Sequence, residues 1–156
     1  MPMDLTLPPE DLAWKQRARD FAQAQLFPRE IALELEGSLP RTTKDALREA
    51  VVAHGLNAIN HAREVGGRGC SQMQQMLISE ELGKATGALW AVVWHPAVPL
   101  KHGTAEQIET YLRPSCLGAR RACVAITEPE AGSDARRIRT RATRRGERFV
   151  ITGEKW

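Results

Sequence analysis

Two periodicities divide the chain. Up to about residue 120, apolar positions recur every three or four residues. Beyond it, branched residues, alternation and turn residues dominate. The first pattern predicts helices and the second strands. Pro9, Glu10 and Asp11 open a predicted helix over 9–27, with Trp14, Ala18, Phe21, Ala22 and Leu26 on one face. Pro28 interrupts it, and Ile31 to Leu35 can resume it before Gly37. Thr42 and Thr43 are candidate caps of a second helix, with Leu47, Ala50, Val51 and His54 inward and Gly55 beyond its end.

Ser71 is expected to cap a third helix running to Lys84, its apolar face formed by Met73, Met76, Leu77 and Leu82. Thr86-Gly87 breaks it, and Pro96 and Pro99 kink or bound the apolar stretch from Leu89 to Leu100. Thr104 caps a further helix to Leu112, with Pro114 and Gly118 after it. Strands are expected at Val124–Thr127, Ile138–Thr143 and Phe149–Thr152, the last two joined by the Arg145-Gly146-Glu147 turn. The fold class is therefore mainly α, a helical bundle followed by a few strands, with a domain boundary near residue 120.

The chain has 156 residues, 42% apolar and 26% charged, enough to bury one good core. No apolar run is long enough to span a bilayer, so no membrane partner is expected. Asp4 and Glu10 stand where a signal peptide would carry a basic region and an apolar core. Cys70, Cys116 and Cys123 are odd in number and lack CxxC or Cys/His spacing, which points to a reducing, cytoplasmic compartment and away from zinc. The net charge of +3 is uneven. Residues 136–148 hold seven Arg against Glu147, a net of +6, while the rest carries fifteen basic and eighteen acidic residues. Arg137, Arg139 and Arg141 alternate with Ile138, Thr140 and Ala142, the pattern of a half-buried strand with a solvated face. No aromatics are interleaved for base stacking, so no nucleic-acid partner is expected.

Catalytic signals are few. His54, His61, His95 and His102 show no metal-ligand spacing, and no metal site is expected. Glu80 and Glu81 are adjacent, so they point to different helix faces and suit surface charge or a structural ion pair rather than paired acid/base work. Gly66-Gly67-Arg68-Gly69 lacks the GK[ST] ending of a phosphate loop and reads as a turn. No catalytic residue is assigned.

The most informative segment is Thr127-Glu128-Pro129-Glu130-Ala131-Gly132-Ser133-Asp134, after the apolar run Ala122 to Ile126. Pro129 fixes φ and removes a donor, while Gly132 allows φ > 0 or a close backbone approach. Thr127 and Ser133 add hydroxyls, and successive free N–H groups in such a bend form an anion-binding concavity. Glu128 reads as a hydrogen-bond anchor for the loop rather than a base.

The string Ile126 to Asp134 closely resembles the first signature of the acyl-CoA dehydrogenase family of flavoproteins. The likeness extends along the chain: Leu12 to Pro28, Gly55 to Ile59 with Glu64 to Gly67, Glu80 to Gly83, Gly103 to Gln107 with Tyr111-Leu112, and Gly153 to Trp156. Glu130 departs from it, standing where Gly or another small residue is common. The resemblance implies residues 1–120 as the N-terminal helical domain and 121–156 as the start of a β-barrel middle domain. It implies FAD, held by Val124, Ala125, Ile126, Thr127, Glu128, Pro129, Glu130, Ala131, Gly132 and Ser133. The strand backbone and the Thr127 hydroxyl would face the isoalloxazine, and Ser133 the pyrophosphate or the thioester end of the substrate.

The implied reaction is α,β-dehydrogenation of an acyl-CoA thioester, with electron-transfer flavoprotein or a similar acceptor and a homo-oligomeric assembly. Members of the family are more than twice as long and carry the catalytic base C-terminally, so this chain is expected to be inactive alone. The Arg-rich stretch then also admits attraction of the coenzyme A phosphates. The rival expectation is a non-enzymatic truncated paralogue or partner subunit acting as a helical assembly module. Ending at Trp156 would leave open strand edges and an apolar face, favouring self-association or a disordered tail.

Overall fold

The computed structural model describes residues 6–156; Asp4 lies outside the described residues. The chain divides into two compact units, Met1–Ala122 and Cys123–Trp156.

The first unit is helical. Helix α1 spans Pro9–Phe21 and continues through a π turn at Ala22–Leu26 and a 3₁₀ turn at Phe27–Arg29 into α2, Glu30–Glu36. The helical path thus passes Pro28 instead of ending there. A proline ring collides with the carbonyl four residues back and offers no N–H. The helix relieves this by widening in the preceding turn. The same device recurs at Ile108–Leu112, a π turn just before Pro114, between α5 (Ala105–Gln107) and α6 (Arg113–Cys116). The fourth predicted helix therefore runs on to Cys116 rather than stopping at Leu112.

Helix α3 spans Arg41–Ala53 with Pro40 at its N-cap, so neither Thr42 nor Thr43 caps it. Pro40 supplies extended geometry there, and both threonines fall inside the helix. Helix α4 spans Gln72–Leu82, and here the expected Ser71 cap is present as a capping box completed by Gln74. Thr104 and Gln107 form a second such box. The apolar face of α4 differs from the predicted one. Leu77, Ile78 and Leu82 are buried, while Met73 and Met76 are 48% and 66% exposed. The apolar stretch from Leu89 holds two short 3₁₀ segments, Leu89–Val92 and Val98–His102, the second running past Leu100.

The core gathers Ala18, Phe21, Ala22 and Leu26 with Leu47, Val51, Leu56, Ile59, Ile78 and Leu82, all at most 4% exposed. Phe21 meets the His54 ring edge-on with centroids 5.3 Å apart. Buried Glu81 joins α4 to α1. It accepts from Arg19 and Lys84 at 2.9 and 2.6 Å and lies 3.8 Å from Lys15, whose closer partner is Glu80. The adjacent carboxylates thus serve as structural ion pairs.

The second unit holds an antiparallel hairpin, β1 (Arg141–Arg145) and β2 (Arg148–Thr152), with Arg145 opposite Arg148 and Arg141 opposite Thr152. Gly146, at φ +63°, opens the two-residue connection, a position that requires left-handed backbone. Two expectations change. The strand expected from Ile138 begins at Arg141, because the Arg139 and Thr140 N–H groups are donated to the Glu128 carboxylate instead of a ladder. The alternation predicted a half-buried strand, yet every residue of both strands is exposed.

Candidate functional site

The motif stretch lies wholly in the second unit. Cys123 to Thr127 is extended but forms no ladder, so the predicted strand is present in direction and not in pairing. Its apolar side chains are uncovered, with Val124 70% and Ile126 55% exposed. Its carbonyls are tied to the far end of the chain. The Trp156 N–H donates to Thr127 O at 3.0 Å, and Lys155 Nζ donates to Ile126 O at 2.8 Å.

The turn that follows is closed on itself. Glu128 and Ala131 exchange both backbone hydrogen bonds, each 3.1 Å, so Glu128-Pro129-Glu130-Ala131 is a tight turn with proline at its second position. Glu130 is not among the residues with positive φ, so the side chain that departs from the family pattern sits there without backbone strain. Gly132 differs from its expectation: its φ is not left-handed, and a Cβ built there meets nothing within 4 Å. The glycine leaves bare backbone beside open space.

Glu128 is 6% exposed and holds the loop together. Its carboxylate accepts from Arg139 N at 2.7 Å and Thr140 N at 2.9 Å, and pairs with Lys155 Nζ at 2.9 Å. The Arg139 N–H, then Thr140 and Lys155, favour the charged form and pull its pKa down to about 2. An acid already saturated with donors and ionised far below neutrality is an anchor, as its place beside Pro129 suggests. Lys155 was not visible as its partner in the sequence. The two are 27 positions apart, and only opposite charge links them.

Around this anchor Thr127 and Ser133 are exposed at the two ends of the turn, and Asp134 caps a 3₁₀ turn, Ala135–Arg137, by accepting from Arg136 N at 3.2 Å. Glu130 pairs with Arg139 at 3.1 Å and lies 3.8 Å from Arg137, so part of the basic stripe is neutralised locally. An uncovered apolar strand, bare backbone at Gly132 and two exposed hydroxyls suit a flat heteroaromatic ligand with a phosphate tail.

No group of three or more His, Cys, Asp or Glu that could hold a metal occurs among the described residues. His61 is buried and bonds Pro96 O through Nε2 at 2.9 Å. His54 bonds Ala50 O at 2.8 Å. Partial desolvation and the nearby His61 hold the His95 imidazole below its usual pKa. Cys70, Cys116 and Cys123 are all free thiols. No described helix is long and apolar enough to cross a membrane.

Comparison with known proteins agrees with the family resemblance. The profile of the acyl-CoA dehydrogenase N-terminal domain matches residues 8–119. A probable acyl-CoA dehydrogenase of Bacillus subtilis is 34% identical over 98% of this chain and 40% of its own length. A subunit of the caffeyl-CoA reductase–Etf complex of Acetobacterium woodii is 32% identical over 90% of this chain and 38% of its own. Among solved structures, an acyl-CoA dehydrogenase complexed with FAD from Bacillus anthracis superposes with a TM-score of 0.75 at 26% identity. The match covers 96% of this chain and 27% of that one. The chain thus spans about 40% of the length of the curated relatives it matches.

Proposed function

Because the chain belongs to the acyl-CoA dehydrogenase family, we propose that it supplies the N-terminal helical domain (1–120) and the opening of the β middle domain (121–156) of a FAD-dependent enzyme. That enzyme would introduce a double bond α,β to an acyl-CoA thioester. The observation that carries this reading is the Glu128-anchored turn. It presents an uncovered apolar strand on one side and bare Gly132 backbone on the other.

FAD, when bound, supplies acceptance of the substrate hydride. This chain's part is to bind and orient. The Val124–Thr127 strand would lie along the isoalloxazine, with Glu128 to Ala131 fixing the turn beside it. Gly132 and Ser133 would meet the pyrophosphate, and the Ser133 hydroxyl also suits the thioester end of the substrate. Glu128 stays ionised and moves no proton. The catalytic base belongs to a part of the enzyme this chain does not include, so the 156 residues alone should not oxidise acyl-CoA. The three free thiols favour a cytoplasmic enzyme, and likeness to the Etf-complex subunit favours an electron-transfer flavoprotein as acceptor. A homo-oligomeric assembly completes the proposal.

A chimera tests it. Residues 1–156 replace the matching N-terminal segment of the Bacillus subtilis relative, and the purified protein is examined for flavin absorbance and its bleaching by acyl-CoA without oxygen. A yellow protein that bleaches is expected. A folded but colourless chimera would remove the basis for the proposal.

A further inference from the structure

We propose that Arg17, Arg63 and Arg68 form a binding site for a phosphate dianion where α1 meets the loop between α3 and α4. The site lies wholly within the helical unit, and the flavin reading uses none of its residues. Two of its guanidinium groups meet over one glycine. A Cβ built on Gly55, at φ +63°, would come within 3.3 Å of Arg17 Nη1 and 3.6 Å of Arg68 Cζ. Arg63 joins them from the other side of the loop, its Nε donating to Arg68 O at 3.3 Å. Burial pushes the Cys70 thiol up to about 11, and Arg63, Arg17 and Arg68 all pull the other way, so one buried residue feels all three cations.

Like charges gathered in this way repel. The other cations of the same face of the fold are balanced: on α1, Lys15 pairs with Glu80 and Arg19 with Glu81. Among the described residues no acidic side chain pairs with Arg17, Arg63 or Arg68. Each is nonetheless held in place without being neutralised. Arg17 lies 4.6 Å above the Trp14 ring. Arg68 gives Nε and Nη2 to Asn57 Oδ1, and Asn57, 1% exposed, is fixed in turn by donating to Cys116 O at 2.8 Å. Arg17 and Arg63 are exposed and Arg68 is half-buried, so a solute can reach all three.

The adjoining Gly66-Gly67-Arg68-Gly69 turn cannot act as a backbone cradle. Its four N–H groups are already donated, to Arg63 O, Ala62 O, Ala58 O and His61 O. Recognition therefore falls to the guanidinium forks, which match pairs of phosphate oxygens and stay charged throughout the working pH range. Three cations favour a doubly charged anion over a singly charged one. Inorganic phosphate and a phosphate monoester present the same dianion, and the test separates them.

The whole chain, ¹⁵N-labelled, is titrated with inorganic phosphate, methyl phosphate and nitrate at fixed ionic strength and about pH 8, where phosphate groups are mainly doubly charged. The Nε–H signals of the three arginines and the amides of Gly55, Gly69 and Cys70 should shift saturably with phosphate. Nitrate should bind at least about tenfold more weakly. Methyl phosphate binding as tightly as phosphate assigns the site to an ester, and phosphate binding alone assigns it to the free ion; either carries the proposal. Arg63→Gln and Arg17→Gln should each weaken phosphate about tenfold, from the loss of one charge-assisted contact. Arg63 bonds only a backbone carbonyl, so without phosphate the urea midpoint of Arg63→Gln should be unchanged or higher. Phosphate should raise the midpoint of the parent chain more than that of Arg63→Gln, a difference its general salting effect on both chains does not produce. No saturable shift with either phosphate, equal binding of nitrate, indifference to both substitutions, or shifts confined to the arginines of β1 and β2 would each overturn the proposal.

Discussion

Replacing Glu81 by alanine should destabilise the helical unit by about 3 kcal/mol, seen as a lower urea midpoint with an unchanged slope. Glu81 is 1% exposed and is the common partner of Arg19 and Lys84, with Lys15 close by. Its removal leaves Arg19 and Lys84 without their anion, while Lys15 keeps Glu80, and weakens the α1–α4 contact. The figure lies at the low end for a broken buried pair because the cations keep 22% to 48% of their side-chain exposure and can turn to water. Glu80→Ala is the internal control. That carboxylate is 52% exposed and pairs with Lys15 alone, so its loss should cost less than about 1 kcal/mol. Equal effects of the two substitutions would show that burial of Glu81 has been misjudged.

The second large effect belongs to the motif turn. Glu128→Ala should leave the helical unit folded while the Arg139 and Thr140 amides exchange with solvent at least about tenfold faster, because their acceptor is gone. Acid should do the same reversibly. The folded pKa of Glu128 is depressed from 4.5 to about 2. Its contribution is therefore fully present above the unfolded value and is lost as pH falls from about 4.5 toward 2. Glu81 is depressed to about 2 as well, the Arg19 hydrogen bond being the main cause, so both units weaken over the same acid window. Amide exchange at Arg139 that stays protected at pH 2, or in Glu128→Ala, would show that another acceptor holds the loop.

Much of this was legible in local pattern. The α1 face, the Ser71 and Thr104 caps and the passage from helical to extended chain near residue 120 rest on spacing and on residues within one turn of each other. The apolar face of α4 was read wrongly for a physical reason. In Gln72–Leu82 apolar side chains occur around much of the helix, so periodicity cannot choose between Met73/Met76 and Ile78, and packing against α1 decides. Burial of Glu81 was equally hidden, because Arg19 lies 62 positions away. The late start of β1 came from competition: the Glu128 carboxylate captures two amides that alternation alone would give to a ladder. In the candidate site the anchor role of Glu128 was readable from its place before Pro129. Its partner Lys155 and the tie from Trp156 to Thr127 were not, since chain ends meet only through the fold.

The central claim is that Val124 to Ser133 is a flavin-binding surface. Its most direct test is a titration of the ¹⁵N-labelled chain with FAD, followed by amide chemical shifts. Weak binding that moves Val124 to Ser133 first, with Gly132 and Ser133 also responding to pyrophosphate alone, is the predicted result. Shifts centred on the exposed arginines of β1 and β2, or no shifts in the 124–133 stretch at millimolar FAD, would contradict it.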